Sequence, residues 1–324
     1  MALTRDQRRA LEAARKEAIR GYQAEKRRRR HIEAFERART RAENKFKRGM
    51  ADRLLAAAGL DRGGVEEQVE RDHTAVTRFI RARAAEARRN GRGVLGRQRK
   101  YAQEYLGRVE RLLPLDPLPS PRTEVLDKAD DITVVDGTKS STSIAKGKNI
   151  GRVLLFHDDS ASIFEYSSGS WRFAQINWSF LWSPPIEGDL TVAAFLMVNG
   201  WRQVWCLSSC LTSGTAGATI STQLSITQNR FGGPWFTDTS APVQLFDTRV
   251  SKSADESTGQ IDVGGLDLPW VLTTDRPFPI DGLSPVVISV QLLLRVDCRR
   301  AQSTIDLFEK DFQANVPGLI VNVE

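Results

Sequence analysis

His157-Asp158-Asp159, directly after the apolar run Val153-Leu154-Leu155-Phe156, is where this 324-residue chain sets a histidine against two carboxylates. Such a trio has the donor atoms for a metal site or for acid–base work. Successive residues on an extended backbone face opposite sides, so convergence on one point would need further ligands that the sequence does not identify. A solvated turn is the simpler expectation. The chain has three histidines in all, and no serine or cysteine near His157 stands in an elbow or triad context. Cys206, Cys210 and Cys298 lack zinc-site spacing and are expected as buried, reduced thiols. The glycines of 59–64 and 91–96 follow no strand and precede no Lys-Ser/Thr, so they break helices and do not cradle phosphate. The expectation is a protein that is not an enzyme, with no catalytic residue, no cofactor and no metal.

Charge carries a stronger signal. Residues 1–122 hold 32 basic residues, 27 of them arginine, against 17 acidic ones, while residues 123–324 hold 15 basic and 23 acidic. Within the basic part, Lys26, Arg27, Arg28, Arg29 and Arg30 run consecutively into His31 and cover every face of a helix, so they cannot all be buried unpaired. Their functional reading is a surface for nucleic acid or another acidic partner. Glutamates interleaved at i+3 and i+4 spacing give the rival reading, a solvated helix with internal ion pairs. All seven tryptophans fall between 171 and 270. Alternation places Trp178 and Trp182 in a core beside Ile176. Trp201 and Trp235 lie next to the turn signals Asn199-Gly200 and Gly232-Gly233-Pro234, and are expected to be exposed contact residues.

These residues need elements to hold them. Residues 4–58 contain no proline, two glycines and dense Ala, Glu, Arg and Gln, which predicts a long helix open to a break at Gly21 or Gly49. Its thin apolar stripe, with Leu11, Ala14, Ala18, Tyr22, Phe35, Ala42 and Phe46, suits packing along a partner. Leu11, Tyr22, Phe35 and Phe46 are therefore candidate oligomerisation residues. A second helix is expected over 65–90, with His73 in its apolar stripe, and a third over 94–113. Four prolines between 114 and 121 then predict an extended spacer. Beyond it the period becomes 2. Strands are expected at 174–182 and 286–298, and near 131–135, 152–157, 162–166, 189–198, 201–208, 218–227, 242–250, 268–273 and 317–323. The domain reading is 1–113 helical stem, 114–122 linker and 123–324 β domain able to fold alone. The fold class is α+β by segregation: a basic helical stem followed by an all-β antiparallel sandwich or jelly roll. No run reaches the roughly 18 apolar residues of a membrane helix, and Met1 to Asp6 lack a signal-peptide core, so neither membrane association nor export is expected.

A basic helical stem, a proline spacer and a compact β head resemble in general layout the fibre and attachment proteins of tailed-phage virions. The segment Leu190 to Gly200 resembles a strand and turn of such heads. The resemblance implies synthesis in a host cytoplasm, a place in the virion at tail, collar or capsid, a stem docking on other virion proteins, and a head that oligomerises, with a trimer favoured, or meets a receptor. Two other readings fit the layout: an icosahedral coat protein with a genome-facing basic region and a jelly-roll shell, and a glycan-binding or carbohydrate-active protein with a helical anchor.

Overall fold

The computed structural model describes residues 3–65, 67, 68, 71, 74, 75, 78, 82, 123–159, 170–206, 214–230, 233–251, 256–264, 270–309 and 312–324. Of the second expected helix, residues 65, 67, 68, 71, 74, 75, 78 and 82 are described and helical, and the helical run begins three residues earlier, at 62. His73, the third helix, the proline spacer, the strand expected at 162–166 and Cys210 lie outside the described residues.

Helix α1 runs unbroken from Arg5 to Ala57. Thr4 starts it with a capping box: its hydroxyl accepts from Gln7 N–H at 3.2 Å, and its own N–H donates to Gln7 Oε1 at 2.9 Å. Neither Gly21 nor Gly49 interrupts it, because a single glycine costs only about 1 kcal/mol within a long run of good helix formers. Gly59, at φ 68°, terminates it. Among the described residues no helix is long and apolar enough to cross a membrane.

The chain then forms sixteen described strands: β1 (Thr123–Leu126), β2 (Asp131–Asp136), β3 (Lys139–Ser143), β4 (Ile150–Asp158), β5 (Ser170–Trp182), β6 (Gly188–Cys206), β7 (Thr215–Asn229), β8 (Trp235–Thr239), β9 (Val243–Val250), β10 (Glu256–Val263), β11 (Trp270–Thr273), β12 (Phe278–Ile280), β13 (Val286–Arg299), β14 (Ala301–Asp306), β15 (Gln313–Asn315) and β16 (Leu319–Val323). All described pairings are antiparallel, in two sheets. One has the order β2-β5-β13-β7-β8, with β9 also on β7, and the other is built around β1-β16-β6-β14-β4-β15. The sheets face each other across one apolar core, so the expected sandwich is the observed architecture. Ile176, Trp178 and Phe180 of β5 lie opposite Leu292, Val290 and Ile288 of β13, and all six are fully buried. Period-2 alternation puts this whole set on the inner face.

Two expectations fail at one place. Asn199-Gly200 is not a turn: β6 runs straight through it, pairing Gly200 with Ile261. A Cβ at Gly200 would stand 2.2 Å from Leu307 Cδ2 and 2.7 Å from Asp306 O, so this glycine serves close strand approach. Trp201 is accordingly not exposed. It is 6% accessible and packs with Phe312.

Candidate functional site

The outer face of the β2-β5-β13-β7-β8 sheet departs from the usual rule for a covered surface. The positions alternating with the core residues are Gln175, Asn177 and Ser179 on β5, Ser289 and Gln291 on β13, and Ser225 and Thr227 on β7, all buried. Buried polar groups need partners, and these find one another. Gln175 and Gln223 both donate to Gln291 Oε1, at 3.4 and 2.8 Å, and Gln291 Nε2 reaches Ser225 Oγ at 3.3 Å. Ser179 and Ser289 share a bond of 3.3 Å, and Thr227 and Thr237 one of 3.0 Å.

Helix α1 crosses this face. Ala10, Ala14, Ala18 and Tyr22, spaced i, i+4, i+8 and i+12, are buried against it, with Leu11 packed alongside Val287 and Leu181 at one end. Small residues let the helix lie close. Leu11 and Tyr22, expected at a subunit interface, instead join the helix to its own sandwich, because the polar sheet face still offers Val287, Leu181 and Phe173 to a thin apolar stripe. The sandwich and the first half of α1 thus pack against each other, the helix covering the outer face of one sheet while the core between the sheets is built from residues of the β domain alone.

The anchor is polar. Tyr22 Oη donates to Asp136 Oδ2 at 2.6 Å and lies 3.1 Å from the carbonyl oxygen of Phe173, while Lys26 Nζ reaches the same Oδ2 at 2.5 Å. Burial pushes the Asp136 carboxyl up, but the hydrogen bonds from Lys26 and Tyr22 outweigh it and hold the group below the usual carboxylate range. Burial, with the Asp136 carboxylate beside it, pushes the Tyr22 phenol well above its usual value, so it stays a donor. Asp136 occupies a corner where the chain passes from one sheet to the other. It and Gly137 have φ of 57° and 95°, and a Cβ on Gly137 would meet Val153 Cγ2 at 2.5 Å. Aspartate tolerates the left-handed region and glycine prefers it.

One turn further along α1, Arg29 donates to Glu25 at 2.8 Å and stacks its guanidinium 4.7 Å from the Trp171 ring centre. Arg295 covers the same ring at 5.1 Å, so one indole lies close to two cations. Glu33 accepts the Trp171 backbone N–H at 3.0 Å. The five-residue basic run therefore divides. Lys26 and Arg29 fasten the helix, whereas Arg27, Arg28 and Arg30 are exposed. Lys26, Arg29, Arg30 and Arg172 line a cleft of about 350 Å³, tempered by Asp136 and Glu33. Asp136, Trp171 and Glu33 escaped the sequence reading. The Asp136-Gly137 dipeptide, a turn signal, was the one local clue.

The remaining candidates scatter. Trp235 is 38% exposed and Phe35 73%; the side chain of Phe46 lies outside the described residues. His157 is not on a solvated turn. It is half-buried near the end of β4, and its Nε2 lies 2.5 Å from Ser170 Oγ. Burial first, then Arg172, lowers its pKa. A base beside a hydroxyl resembles part of a triad, but among the described residues the buried His157 Nδ1 has no partner to orient the ring, and Gln302 donates to Asp158 at 2.6 Å. The pair bridges β4 and β5. Cys206 and Cys298 are buried, as expected, and burial drives the Cys298 thiol far above its usual value.

No protein-family model matches the sequence, and no curated protein matches it. Among solved structures it is similar to TmCBM61 in complex with β-1,4-galactotriose (13% identity over 63% of this chain and 88% of that one, TM-score 0.17). It is similar also to the enzymatically active domain of bacteriophage CBA120 tailspike protein 4 (10% identity, 57% of this chain and 19% of that one, TM-score 0.18) and to a CBM4 module (12%, 59% and 92%, TM-score 0.16). Superposition this poor transfers no ligand and no role; the β-sandwich rests on the strand pairing itself.

Proposed function

We propose that this chain is a non-enzymatic structural protein of a virion, with the sandwich as its head and the distal half of α1 as its attachment to sister chains or to the particle. The observation that carries the reading is the unequal use of one helix. Residues up to Glu33 are fastened to the sandwich, and the helix then continues to Ala57, about 36 Å at ~1.5 Å per residue. Along that length Phe35, Met50 and Leu54 are 73%, 42% and 56% exposed. Among the described side chains none from 34 to 57 bonds to the sandwich. A helix in water does not order two dozen residues without a packed face, so this half calls for a partner. Closed symmetry with three copies is the proposed arrangement. Engagement of Lys26 and Arg29 with the head favours a docking stem over a genome-binding arm.

Light scattering on the full chain tests this. The wild type should be trimeric at micromolar concentration, and Phe35→Ser combined with Leu54→Ser should give monomers whose near-ultraviolet dichroism still reports a folded head. A wild type that stays monomeric with α1 fully helical overturns the assembly reading.

A further inference from the structure

Beside α1, on its β7–β8 side, the sheet and helix enclose a groove of about 330 Å³, within the range of small-molecule sites. Its floor is the amide chain of Gln175, Gln223 and Gln291 continued by the hydroxyls of Ser225 and Thr227. A sheet face under a helix is most cheaply made apolar, since each buried polar group must be desolvated and paired. Here the amides are fixed in orientation by their mutual bonds, and Gln175, Ser225, Gln291 and Thr227 are at least nine-tenths buried. The helix wall supplies Glu17 and Glu25, and no lysine or arginine lines the groove. Leu293, Phe173 and Pro242 are the larger apolar residues of its lining. The chemistry is an array of neutral donors and acceptors with two carboxylates, beside a hydrophobic surface. Glu17 and Glu25 are themselves held by Arg20 and Arg29, so the lining offers no cation to pair a phosphate or carboxylate and suits a ligand with many hydroxyls and one C–H-rich face.

The helix leaves the space open by construction. Gly21 faces the groove, and a Cβ placed there would meet nothing within 4 Å. Glycine in mid-helix is unfavourable relative to alanine, so neither helix stability nor packing accounts for it. A larger side chain at this position would project into the groove.

We propose that this groove binds a neutral saccharide of one or two pyranose rings, the glutamine chain and Ser225 hydrogen-bonding its hydroxyls and the apolar lining residues Phe173 and Leu293 contacting its C–H face. The proposal stands apart from the virion reading and can fail or hold without it.

The test is saturation-transfer NMR and titration calorimetry of the full chain with lactose, maltose, cellobiose and N,N′-diacetylchitobiose at up to about 10 mM, with sialyllactose as the acidic control. At least one neutral disaccharide should bind, more tightly than sialyllactose. Gly21→Phe, which fills the groove from the helix, should weaken binding about tenfold or more while leaving the melting temperature unchanged or raised. Gln223→Ala, at a half-exposed position, should weaken binding severalfold in a folded protein. No binding of any neutral sugar, binding indifferent to both variants, or a preference for sialyllactose would each overturn the proposal; the last would direct attention to the cleft of Lys26, Arg30 and Arg172.

Discussion

Tyr22 and Asp136, 114 residues apart, share a 2.6 Å hydrogen bond that ties the helix to the corner between the two sheets. The phenol is buried and its acceptor is charged, so the bond is worth more than a surface contact. Tyr22→Phe should cost about 1–2 kcal/mol in urea unfolding, and Asp136→Asn a comparable amount. A loss below ~0.3 kcal/mol in both would mean that docking rests on the alanine stripe alone.

The same pair predicts a pH effect. A carboxyl held below its unfolded value near ~3.9 stabilises fully above that value, and the contribution is lost as pH falls through the lower folded pKa. The difference in unfolding free energy between wild type and Asp136→Asn should be constant above about pH 5 and shrink below about pH 4. A difference that grows on acidification would contradict this assignment.

Removing α1 exposes Val287, the polar ladder and the buried side of Phe173. The fragment 123–324 should therefore melt several degrees below the full chain and bind a hydrophobic dye, even though its core is intact. Ala10→Leu, at a fully buried helix position, should cost about 1–3 kcal/mol through overpacking. Identical melting of fragment and full chain would show that the helix adds no stability.

At the Gly200 crossing, substitution meets backbone as well as side chain. Gly200→Ala should destabilise by about 1–3 kcal/mol in chemical denaturation, where a solvent-exposed turn glycine would tolerate the change.

Cys206 and Cys298 should resist iodoacetamide in the native protein and react fully in denaturant, as mapped by mass spectrometry. Rapid native alkylation of Cys298 would contradict its burial at 1% exposure.

The parts of this fold legible in the sequence are those where one physical signal dominates. Ala174 to Trp182 and Val286 to Cys298 alternate cleanly, and they are the paired central strands β5 and β13. Strands without alternation went unseen. Lys139–Ser143 is polar and exposed on every residue, and Ala301–Asp306 reads as polar although all six residues are buried. In the latter, Gln302 accepts from the Trp205 indole at 3.0 Å and Ser303 donates to Asp297 O at 3.1 Å, ties invisible before the chain is folded. The basic run was legible as charge but not as anchor, since the acceptor for Lys26 lies 110 residues away. Glycine misled at Gly200 because the same residue marks both a turn and a close approach.

Strand β6 has a consequence for how the protein is made. Its 19 residues pair, among the described residues, only with strands that follow it in the chain, β10, β11, β12, β14, β15 and β16. Strand β1, made long before, pairs with β16. Asp189 and Glu324 exchange two backbone hydrogen bonds, at 3.1 and 3.0 Å. During vectorial synthesis β6 therefore emerges with both edges vacant; β10, β11 and β12 can cover one of them, but the other is not completed until residues 319–324 have been added. Such an edge invites pairing with neighbouring nascent chains, so yield on overexpression should depend on translation speed and chaperone supply more than on the stability of the finished sandwich.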